Sequence, residues 1–206
     1  DQKQEGRPIM KMAIIGGKLQ GTEVAYLARE AGYETLLVDR NTQAPASGLV
    51  DRFVSFELAD SARLREIISG VDLVFPAIED LGVLTMLSET CEQMDKPVVL
   101  DLEAYKVSCS KLRSNELFEK LAAPMPVPFP ACGLPAIAKP CFGSGSVGVR
   151  VFERQADLDA FLADRNPGDW CVQQFVEGPS YSLEVIGRPG AYQAIQVTEL
   201  FMDDIR

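Results

Sequence analysis

Residues 139–148 read Lys-Pro-Cys-Phe-Gly-Ser-Gly-Ser-Val-Gly and follow a short apolar run at 135–138. Glycines allow a backbone to approach a polyanion closely, and the N–H groups of such a loop can donate to phosphate oxygens. The Ser144 and Ser146 hydroxyls add donors, and Lys139 adds a positive charge. The same composition is also typical of an exposed turn between two strands. The stretch alone therefore leaves two interpretations open, a phosphate-binding loop and a solvated hairpin.

A second lysine stands upstream, at the start of a predicted helix. Ser110 is a suitable N-cap, which places Lys111 in the first helical turn. A cation in that position opposes the helix dipole unless an anion lies nearby, although a solvated surface lysine is the simpler alternative. Apolar side chains recur after it at helical spacing: Leu117, Phe118, Leu121 and Ala122.

Downstream, residues 170–174 and 181–187 predict two strands joined by a Gly-Pro connector. A connector of this kind can offer backbone donors and acceptors to a flat base. The three segments occur in a fixed order: a lysine at a helix start, a lysine with a glycine-serine loop, and a strand-connector-strand unit. Together they resemble the nucleotide-binding half of the ATP-grasp ligases.

A β-α-β unit with a glycine turn stands near the start of the chain. An apolar run at 12–15 leads into the turn Gly-Gly-Lys-Leu-Gln-Gly at 16–21, and a second apolar run at 35–38 precedes Asp39. The helix predicted between them ends at Gly32 and has one apolar face. The residues of that face are Val24, Leu27, Ala28 and Ala31.

A dinucleotide-binding fold competes for this unit, since Asp39 lies 18 residues after Gly21, near the usual place of a ribose-binding acid. The dinucleotide fingerprint needs glycine at its third position, where this chain has Lys18. A side chain there would keep a pyrophosphate away from the backbone. The turn also lacks the Gly-x-x-x-x-Gly-Lys-Ser/Thr pattern of the P-loop. These departures argue against nicotinamide binding.

The turn is similar instead to the domain that precedes the ATP-grasp module. From Lys11 onward the chain resembles the ligases of pyrrolysine biosynthesis, a branch of the ATP-grasp superfamily. The segments that carry the resemblance are Gly-Gly-Lys-Leu-Gln-Gly at 16–21, Val-Asp-Arg-Asn-Thr-Gln-Ala at 38–44, Phe-Pro-Ala-Ile-Glu-Asp-Leu at 75–81, Asp-Leu-Glu-Ala-Tyr-Lys-Val-Ser at 101–108, Ile-Ala-Lys-Pro at 137–140 and Tyr-Ser-Leu-Glu-Val-Ile-Gly at 181–187.

The resemblance implies an ATP-dependent ligase that joins 3-methyl-D-ornithine to the side-chain amine of L-lysine through an acyl phosphate, with D-ornithine as a related substrate. It implies ATP and Mg²⁺ as cofactors, and it assigns no catalytic side chain. Two alternatives stay open. One is an ATP-grasp enzyme of the purine or D-Ala-D-Ala type, and the other is a non-catalytic nucleotide-binding module.

The resemblance also implies two sets of site residues. Those that match ATP-binding positions are Lys111, Lys139, Ser146, Gln173, Gln174, Phe175 and Val176. Those that match substrate-binding positions are Lys18, Leu19, Gln20, Asp39, Glu57 and Glu79 in the first domain and Ser182, Leu183 and Glu184 in the second. Carboxylates in the second set suit a cationic amino acid, and Glu184 would pair with an amine.

The base-binding and ribose-binding positions depart from the family pattern. Gln173 and Gln174 replace the usual acidic pair, so contacts to adenine are expected to run mainly through the backbone. Pro179 and Ser180 stand where the acid that holds the ribose is expected, so the ribose contact has no assigned residue.

The metal ligands of the family fall later in the ATP-grasp domain. The sequence ends at Arg206, before the half that carries the magnesium-binding carboxylates. We therefore assign no metal ligand, and Asp203 and Asp204 lack the expected context. We expect this polypeptide alone to be inactive, because magnesium normally neutralises charge on the transferred phosphoryl group.

Composition excludes several other classes of function. The formal net charge is −10 and no basic run is present, which argues against a nucleic-acid partner. The chain has no histidine, which excludes Ser-His and Cys-His nucleophile pairs and histidine zinc sites. Its five cysteines include no C-x-x-C pair, which argues against a disulfide scaffold and predicts that the protein is located in the reducing cytoplasm. No apolar run is long enough to span a membrane. A homodimer is left open.

The element order predicts an α/β fold with two kinds of sheet. Residues 11–102 are predicted as a Rossmann-like domain with a parallel sheet, and residues 131–206 as the small lid subdomain of the ATP-grasp fold with an antiparallel sheet. Residues 1–10 are predicted as a disordered leader, and 103–130 as a helical linker with a proline-rich connector. The predicted strands are 12–15, 35–38, 53–56, 71–76, 96–100, 136–139, 147–152, 170–174, 181–187 and 192–200, and the further helices are 61–69, 81–93 and 157–163.

Overall fold

The computed structural model of the chain describes residues 9–188 and 190–201. These residues form two compact units, which divide between Cys109 and Ser110. We refer to them as the N-terminal unit and the C-terminal unit. Residues 1–8 of the predicted leader lie outside the described residues. No helix in the described part of the chain is long and apolar enough to cross a membrane.

The N-terminal unit is built on a four-stranded parallel sheet with helices between the strands. Its strands are β1 (Lys11–Ile15), β2 (Glu34–Val38), β3 (Arg52–Val54) and β4 (Leu73–Pro76), in the order β3-β2-β1-β4. Its helices are α1 (Leu19–Glu30), α2 (Ser61–Ser69), α3 (Leu81–Gln93) and α4 (Leu102–Ser108). All three strand pairs are parallel, which confirms the predicted parallel sheet.

The central strands of this sheet are buried on both faces. Ala13 and Ile15 belong to one apolar cluster, whereas Ile14 and Leu37 belong to another. Successive side chains of a strand point to opposite faces, so a continuous apolar run places residues in both clusters. The apolar runs in the sequence therefore specify a sheet that is covered on both sides.

Helix α1 packs through small residues, which corrects its predicted apolar face. Ala28 is buried as expected, but Leu27 is 64% exposed and Ala31 is exposed as well. Gly21 sets the orientation, because a Cβ at that position would lie only 2.0 Å from the Gly16 carbonyl oxygen. The helix therefore turns its glycine and alanine side toward the sheet and its larger Leu27 side chain outward.

The predicted strand at 96–100 is wrong. The structure has only an isolated parallel bridge there, between Val74 and Val98. The Val74 N–H donates to the Pro97 carbonyl at 3.0 Å, and the Val99 N–H donates to the Val74 carbonyl at 2.9 Å. Pro97 has no N–H of its own to extend this pairing into a ladder.

The C-terminal unit combines antiparallel sheets with two helices. Its helices are α5 (Lys111–Lys120) and α6 (Gln155–Leu162), and its strands are β5 (Ala136–Pro140), β6 (Arg150–Phe152), β7 (Trp170–Gln174), β8 (Ser180–Arg188) and β9 (Ala191–Leu200). One sheet has the order β6-β5-β7, and β8 pairs with β9 in a separate hairpin. All of these pairs are antiparallel, as predicted.

A small apolar core holds α6 against the three-stranded sheet. Ala136, Phe152 and Leu158 are buried in it. The Phe161 ring packs against Phe152 and meets the Trp170 ring edge-on at 4.7 Å between centroids. This core fixes β5 and β7 side by side, and their opposite face carries the site described next.

Candidate functional site

A cavity of about 430 Å³ lies within the C-terminal unit. Its walls come from the start of α5, from β5 and β7, from the residues after β7, and from residues 142–149, which we call the glycine-serine loop. All seven residues that the sequence analysis matched to ATP-binding positions line it. They are Lys111, Lys139, Ser146, Gln173, Gln174, Phe175 and Val176.

The backbone of the glycine-serine loop is unusual. Four of its residues have positive φ angles: Gly143 (100°), Gly145 (66°), Ser146 (58°) and Gly148 (77°). Glycine adopts such angles without steric cost, whereas Ser146 is a non-glycine residue in the left-handed region. Successive N–H groups around such turns can form a concave site for an anion. The loop geometry thus favours a phosphate-binding loop over a plain hairpin turn.

Lys111 connects the start of α5 to this loop. Its Nζ donates to the Gly143 carbonyl oxygen at 2.9 Å, and its backbone N–H donates to the Cys141 carbonyl oxygen at 2.9 Å. Ser110 caps the helix as predicted, since its Oγ accepts from the Arg113 N–H at 3.4 Å. The ammonium group of Lys111 is therefore held beside the loop, at the cavity wall.

Lys139 lies on β5 and is half-buried. Burial lowers the pKa of its ammonium group, the neighbouring Cys171 thiol opposes this shift, and the positive charge of Lys111 lowers the pKa further. Within residues 9–188 and 190–201, neither lysine lies within ion-pair distance of a carboxylate. Two ammonium groups thus line one cavity without a counter-charge from that part of the protein, which favours an anionic ligand.

An amide network flanks the cavity beyond Lys139. Gln173 stands opposite Ile137 in the register of β5 and β7, and Cys171 stands opposite Lys139. The Gln173 Oε1 accepts from Asn115 Nδ2 at 3.1 Å and from the Cys171 Sγ at 3.2 Å. Burial raises the pKa of the Cys171 thiol, with Lys139 opposing, so the S–H is retained as a donor.

We call residues 174–176, at the end of β7, the hinge, and part of its backbone is already paired. The Gln174 N–H donates to the Val127 carbonyl at 2.8 Å, and the Phe175 N–H donates to the Pro135 carbonyl at 3.1 Å. Val176 lines the cavity and is 61% exposed. Backbone contacts to a base are therefore left to the Val176 N–H and to carbonyl groups of the hinge, a narrower set than the sequence implied.

The predicted substrate residues of the N-terminal unit lie along one edge of its parallel sheet. Lys18, Leu19 and Gln20 follow β1, Asp39 follows β2, Glu57 follows β3, and Glu79 follows β4. In open parallel sheets, ligands bind at this carboxyl edge, where the strand order reverses. The order β3-β2-β1-β4 reverses at β1, so the residues after β1 and β4 flank that position.

The Asp39 carboxylate already accepts hydrogen bonds from two backbone N–H groups. Its Oδ2 accepts from the Gly17 N–H at 2.7 Å, and its Oδ1 accepts from the Asn41 N–H at 2.8 Å. Both carboxylate oxygens thereby tie the turn after β1 to the turn after β2. The structure gives Asp39 this bracing role in addition to its place at the edge.

Gln20 and Glu79 are brought together at the edge. The Gln20 Nε2 donates to the Glu79 Oε1 at 3.3 Å. The Tyr105 hydroxyl donates to the Glu79 carbonyl at 2.5 Å, which fixes the backbone at that residue. Leu19 is 75% exposed, and Glu57 is exposed too.

Ser182, Leu183 and Glu184 lie on β8 and are not among the cavity-lining residues. The Ser182 Oγ donates to the Glu184 Oε1 at 3.0 Å and lies 2.6 Å from the Thr198 Oγ1 on β9. Leu183 belongs to the other face of the strand and is 56% exposed. The structure therefore separates these three residues from the cavity.

The described residues offer no ligand set for magnesium. Among them, no group of three or more His, Cys, Asp or Glu side chains could hold a metal ion. Asp203 and Asp204 lie outside the described residues. Residues 9–188 and 190–201 thus provide no cluster of three such side chains for magnesium.

Asn115, Pro126 and Val149 are among the residues at the site that were not predicted from the sequence. Asn115 lies four residues after Lys111, a spacing that places both on one side of α5 and is the only signal for it. Pro126 and Val149 line the cavity, but their sequence context does not distinguish them from ordinary apolar positions.

Two family models match the chain. Residues 109–205 match the ATP-grasp domain, and residues 12–100 match the PylC-like N-terminal domain. The chain carries an ATP-grasp domain. Its N-terminal match confirms the branch of the family that the sequence motifs predicted.

Relatives of this ATP-grasp chain include two curated archaeal proteins. It is 34% identical over 194 residues to the 3-methyl-D-ornithine–L-lysine ligase of Methanosarcina barkeri, and 34% identical over 200 residues to that of Methanosarcina mazei. These matches cover 94% and 97% of the chain, and 52% of each relative. The chain thus spans about half the length of the curated relatives it matches.

A solved structure with a similar fold is the ADP complex of an N5-carboxyaminoimidazole ribonucleotide synthetase. The TM-score is 0.79 at 19% identity, and the match covers 97% of the ATP-grasp chain and 56% of the other protein. At this identity the likeness establishes the fold. It confirms the predicted α/β architecture.

Proposed function

We propose that the C-terminal unit binds ATP in the cavity described above. The observation that carries this proposal is the pair Lys111 and Lys139, two cations that line one cavity and have no carboxylate partner among the described residues. The triphosphate would lie between them beneath the glycine-serine loop, and the base would lie against β7 and Val176. Charge-assisted hydrogen bonds of this kind each contribute about 1.5–3 kcal/mol.

We further propose that the whole protein is an ADP-forming carboxylate–amine ligase. Similarity to the two Methanosarcina ligases over nearly the whole chain, together with the PylC-like N-terminal domain, supports 3-methyl-D-ornithine and L-lysine as its substrates. The ornithine-type carboxylate would attack the γ-phosphorus of ATP, giving an acyl phosphate and ADP. The lysine side-chain amine would then attack the acyl carbon, form the amide bond, and release phosphate and a proton.

This chemistry suits the side chains that the chain provides. Phosphoryl transfer depends on positioning and charge stabilisation and needs no protein nucleophile, which agrees with the absence of histidine. Lys111, Lys139 and the glycine-serine loop would hold the transferred group. Magnesium supplies further charge neutralisation in such reactions.

Two acids are proposed to meet the amines of the substrates. Glu79 lies at the carboxyl edge of the N-terminal sheet beside Gln20, and Glu184 lies on β8 beside Ser182. Both carboxylates are exposed, so each can pair with an ammonium group without a large desolvation cost.

Release of ADP by the whole protein tests the proposal. L-lysine with D-ornithine should release ADP, whereas aminoimidazole ribonucleotide or D-alanine in their place should not. Lys139→Met should suppress the reaction, and Lys120→Met, at the exposed end of the same helix as Lys111, should leave it unchanged. ADP release with the ribonucleotide or with D-alanine, and none with lysine and D-ornithine, would assign the protein to another ATP-grasp activity.

A further inference from the structure

Gln173 presents one end of its amide to the cavity. Its Oε1 is taken by two donors, Asn115 Nδ2 at 3.1 Å and Cys171 Sγ at 3.2 Å. Its Nε2 has no acceptor among residues 9–188 and 190–201. Every fully buried side-chain N or O atom in those residues has a hydrogen-bond partner, so this Nε2 is not fully buried. Because Gln173 is only 6% exposed and lines the cavity, the Nε2 group is the part of this amide that the cavity can reach.

Asn115 holds the amide in that orientation. Its Nδ2 lies 3.5 Å from the Cys171 Sγ as well as 3.1 Å from the Gln173 Oε1, so one amino group spans both partners. Rotating the Gln173 amide by half a turn would set its Nε2 against the Asn115 amino group. Two donors would then face each other, and both hydrogen bonds to Oε1 would be lost.

The position of Gln173 in the sheet decides which part of a nucleotide it would meet. Its neighbour across the sheet is Ile137, one step along β5 from Ala138 and two from Lys139. Lys139 and the glycine-serine loop mark the phosphate end of the cavity, whereas Gln173 leads into the hinge and Val176. Provided that a nucleotide occupies the cavity as proposed above, Gln173 therefore faces the base.

We propose that Asn115 acts as a positioning residue for Gln173 and that Gln173 sets the base specificity of the site. The amino group at C6 of adenine is a hydrogen-bond donor, and it would meet a second donor at Gln173 Nε2. The carbonyl at C6 of hypoxanthine or guanine is an acceptor that Nε2 can satisfy. When the base lies with its C6 substituent against Gln173 Nε2, the site therefore accepts 6-oxopurine nucleotides at least as readily as adenine nucleotides.

Inosine triphosphate is the matched probe, because its base differs from adenine only at C6 and in the protonation of N1. We expect the whole protein to bind inosine triphosphate as tightly as ATP or up to about tenfold more tightly, because the C6 carbonyl gains a hydrogen bond from Gln173 Nε2 that the adenine amino group cannot make. Gln173→Glu replaces the donor with acceptor oxygens. Relative to the wild type, this variant should bind ATP more tightly than inosine triphosphate by an additional factor of roughly ten.

Asn115→Asp tests the positioning role separately. A carboxylate at 115 would accept from the Gln173 Nε2 and turn Oε1 toward the cavity, so this variant should also move the ratio toward ATP. Glu116→Gln, on an exposed position of α5, is the matched control and should leave the ratio at its wild-type value. Thermal unfolding of each variant shows that the comparison is made on folded protein.

Two results would overturn the inference. One is a wild-type preference for ATP over inosine triphosphate above about threefold, and the other is a ratio of the two dissociation constants that stays constant in both Gln173→Glu and Asn115→Asp. Lys139→Met distinguishes these results from a failure of the proposed function. If Lys139→Met weakens the binding of both nucleotides equally, the proposed nucleotide site stands even where the base specificity does not. If the wild type binds neither nucleotide, both the proposed function and the base specificity are overturned.

Discussion

The two units differ in how their predicted ligand residues are used in the structure. In the C-terminal unit, the residues matched to ATP-binding positions share one cavity, and its two lysines have no carboxylate partner among the described residues. In the N-terminal unit, the matched residues are spread along the carboxyl edge of a sheet, and Asp39 already accepts two backbone hydrogen bonds.

This difference shows which unit a bound ligand would stabilise most. A half-buried ammonium group without a counter-charge is destabilising, so an anion that enters the cavity relieves a cost that the folded chain carries. At the edge of the N-terminal sheet, Asp39 is satisfied by the protein and gains little from a ligand.

Loss of the Lys139 charge should have the largest effect on binding. Lys139→Met is expected to lower the affinity for ATP about ten- to hundredfold, because one charge-assisted contact of about 1.5–3 kcal/mol is removed. The variant should unfold at the same temperature as the wild type or higher, since a desolvated charge is replaced by an apolar chain. Calorimetric titration and thermal melting measure the two quantities. Unchanged nucleotide affinity would remove the contrast between the units.

Loss of the Asp39 carboxylate should act on stability. Asp39→Ala leaves the Gly17 and Asn41 N–H groups without their acceptor, which should lower the free energy of unfolding by about 1–3 kcal/mol. Urea unfolding of the variant measures it. Arg40→Ala, at the exposed neighbouring position, is the control and should change stability by less than about 0.5 kcal/mol. A fully stable Asp39→Ala variant would show that the carboxylate is free for a ligand.

The pH dependence of nucleotide affinity should follow Lys139. Burial and the nearby Lys111 lower the pKa of Lys139 in the free protein, whereas bound phosphate would favour its charged form and raise that pKa. Nucleotide binding would then take up a proton between these two pKa values, so affinity should fall as the pH rises through that interval. Lys139→Arg should flatten the curve, because guanidinium stays charged. A wild-type affinity that is constant across this pH interval would contradict the prediction.

The smallest effect is expected from Asp51. The Thr35 N–H and hydroxyl donate to Asp51 Oδ2 at 2.7 and 2.9 Å, which lowers the pKa of that carboxyl below its usual range. Its folded pKa lies below its unfolded value of about 4, so the stability it adds is present above that value and is lost as the pH falls through the folded pKa. Because Asp51 is exposed, the loss should stay under about 1 kcal/mol. Acid unfolding of Asp51→Asn should show a correspondingly shallower decline than that of the wild type.

Much of the fold could be predicted from local patterns. Apolar runs bounded by glycine specify the central parallel strands, and Ser110 specifies the start of α5 through its capping hydrogen bond. The packing face of α1 could not be predicted in this way. It depends on the contact between Gly21 and the Gly16 carbonyl, which only the folded backbone reveals.

The residues of the candidate site also include some that the sequence indicates and some that it does not. The lysines and the glycine-serine loop carry the chemistry in their residue types, so the sequence could point to them. Asn115 acts through a contact with β7 that lies 58 residues away in sequence, and no local pattern indicates such a partner. The bracing role of Asp39 was missed for the same reason, since Gly17 is 22 residues distant.

A crystal structure of the protein with a non-hydrolysable ATP analogue would show whether both lysines hold the phosphates of one nucleotide. The Nζ atoms of Lys111 and Lys139 should both lie within about 3–4 Å of phosphate oxygens of the same nucleotide, and Lys111 should either leave the Gly143 carbonyl or donate to both acceptors. A nucleotide bound outside this cavity, or one whose phosphates contact neither lysine, would contradict this expectation.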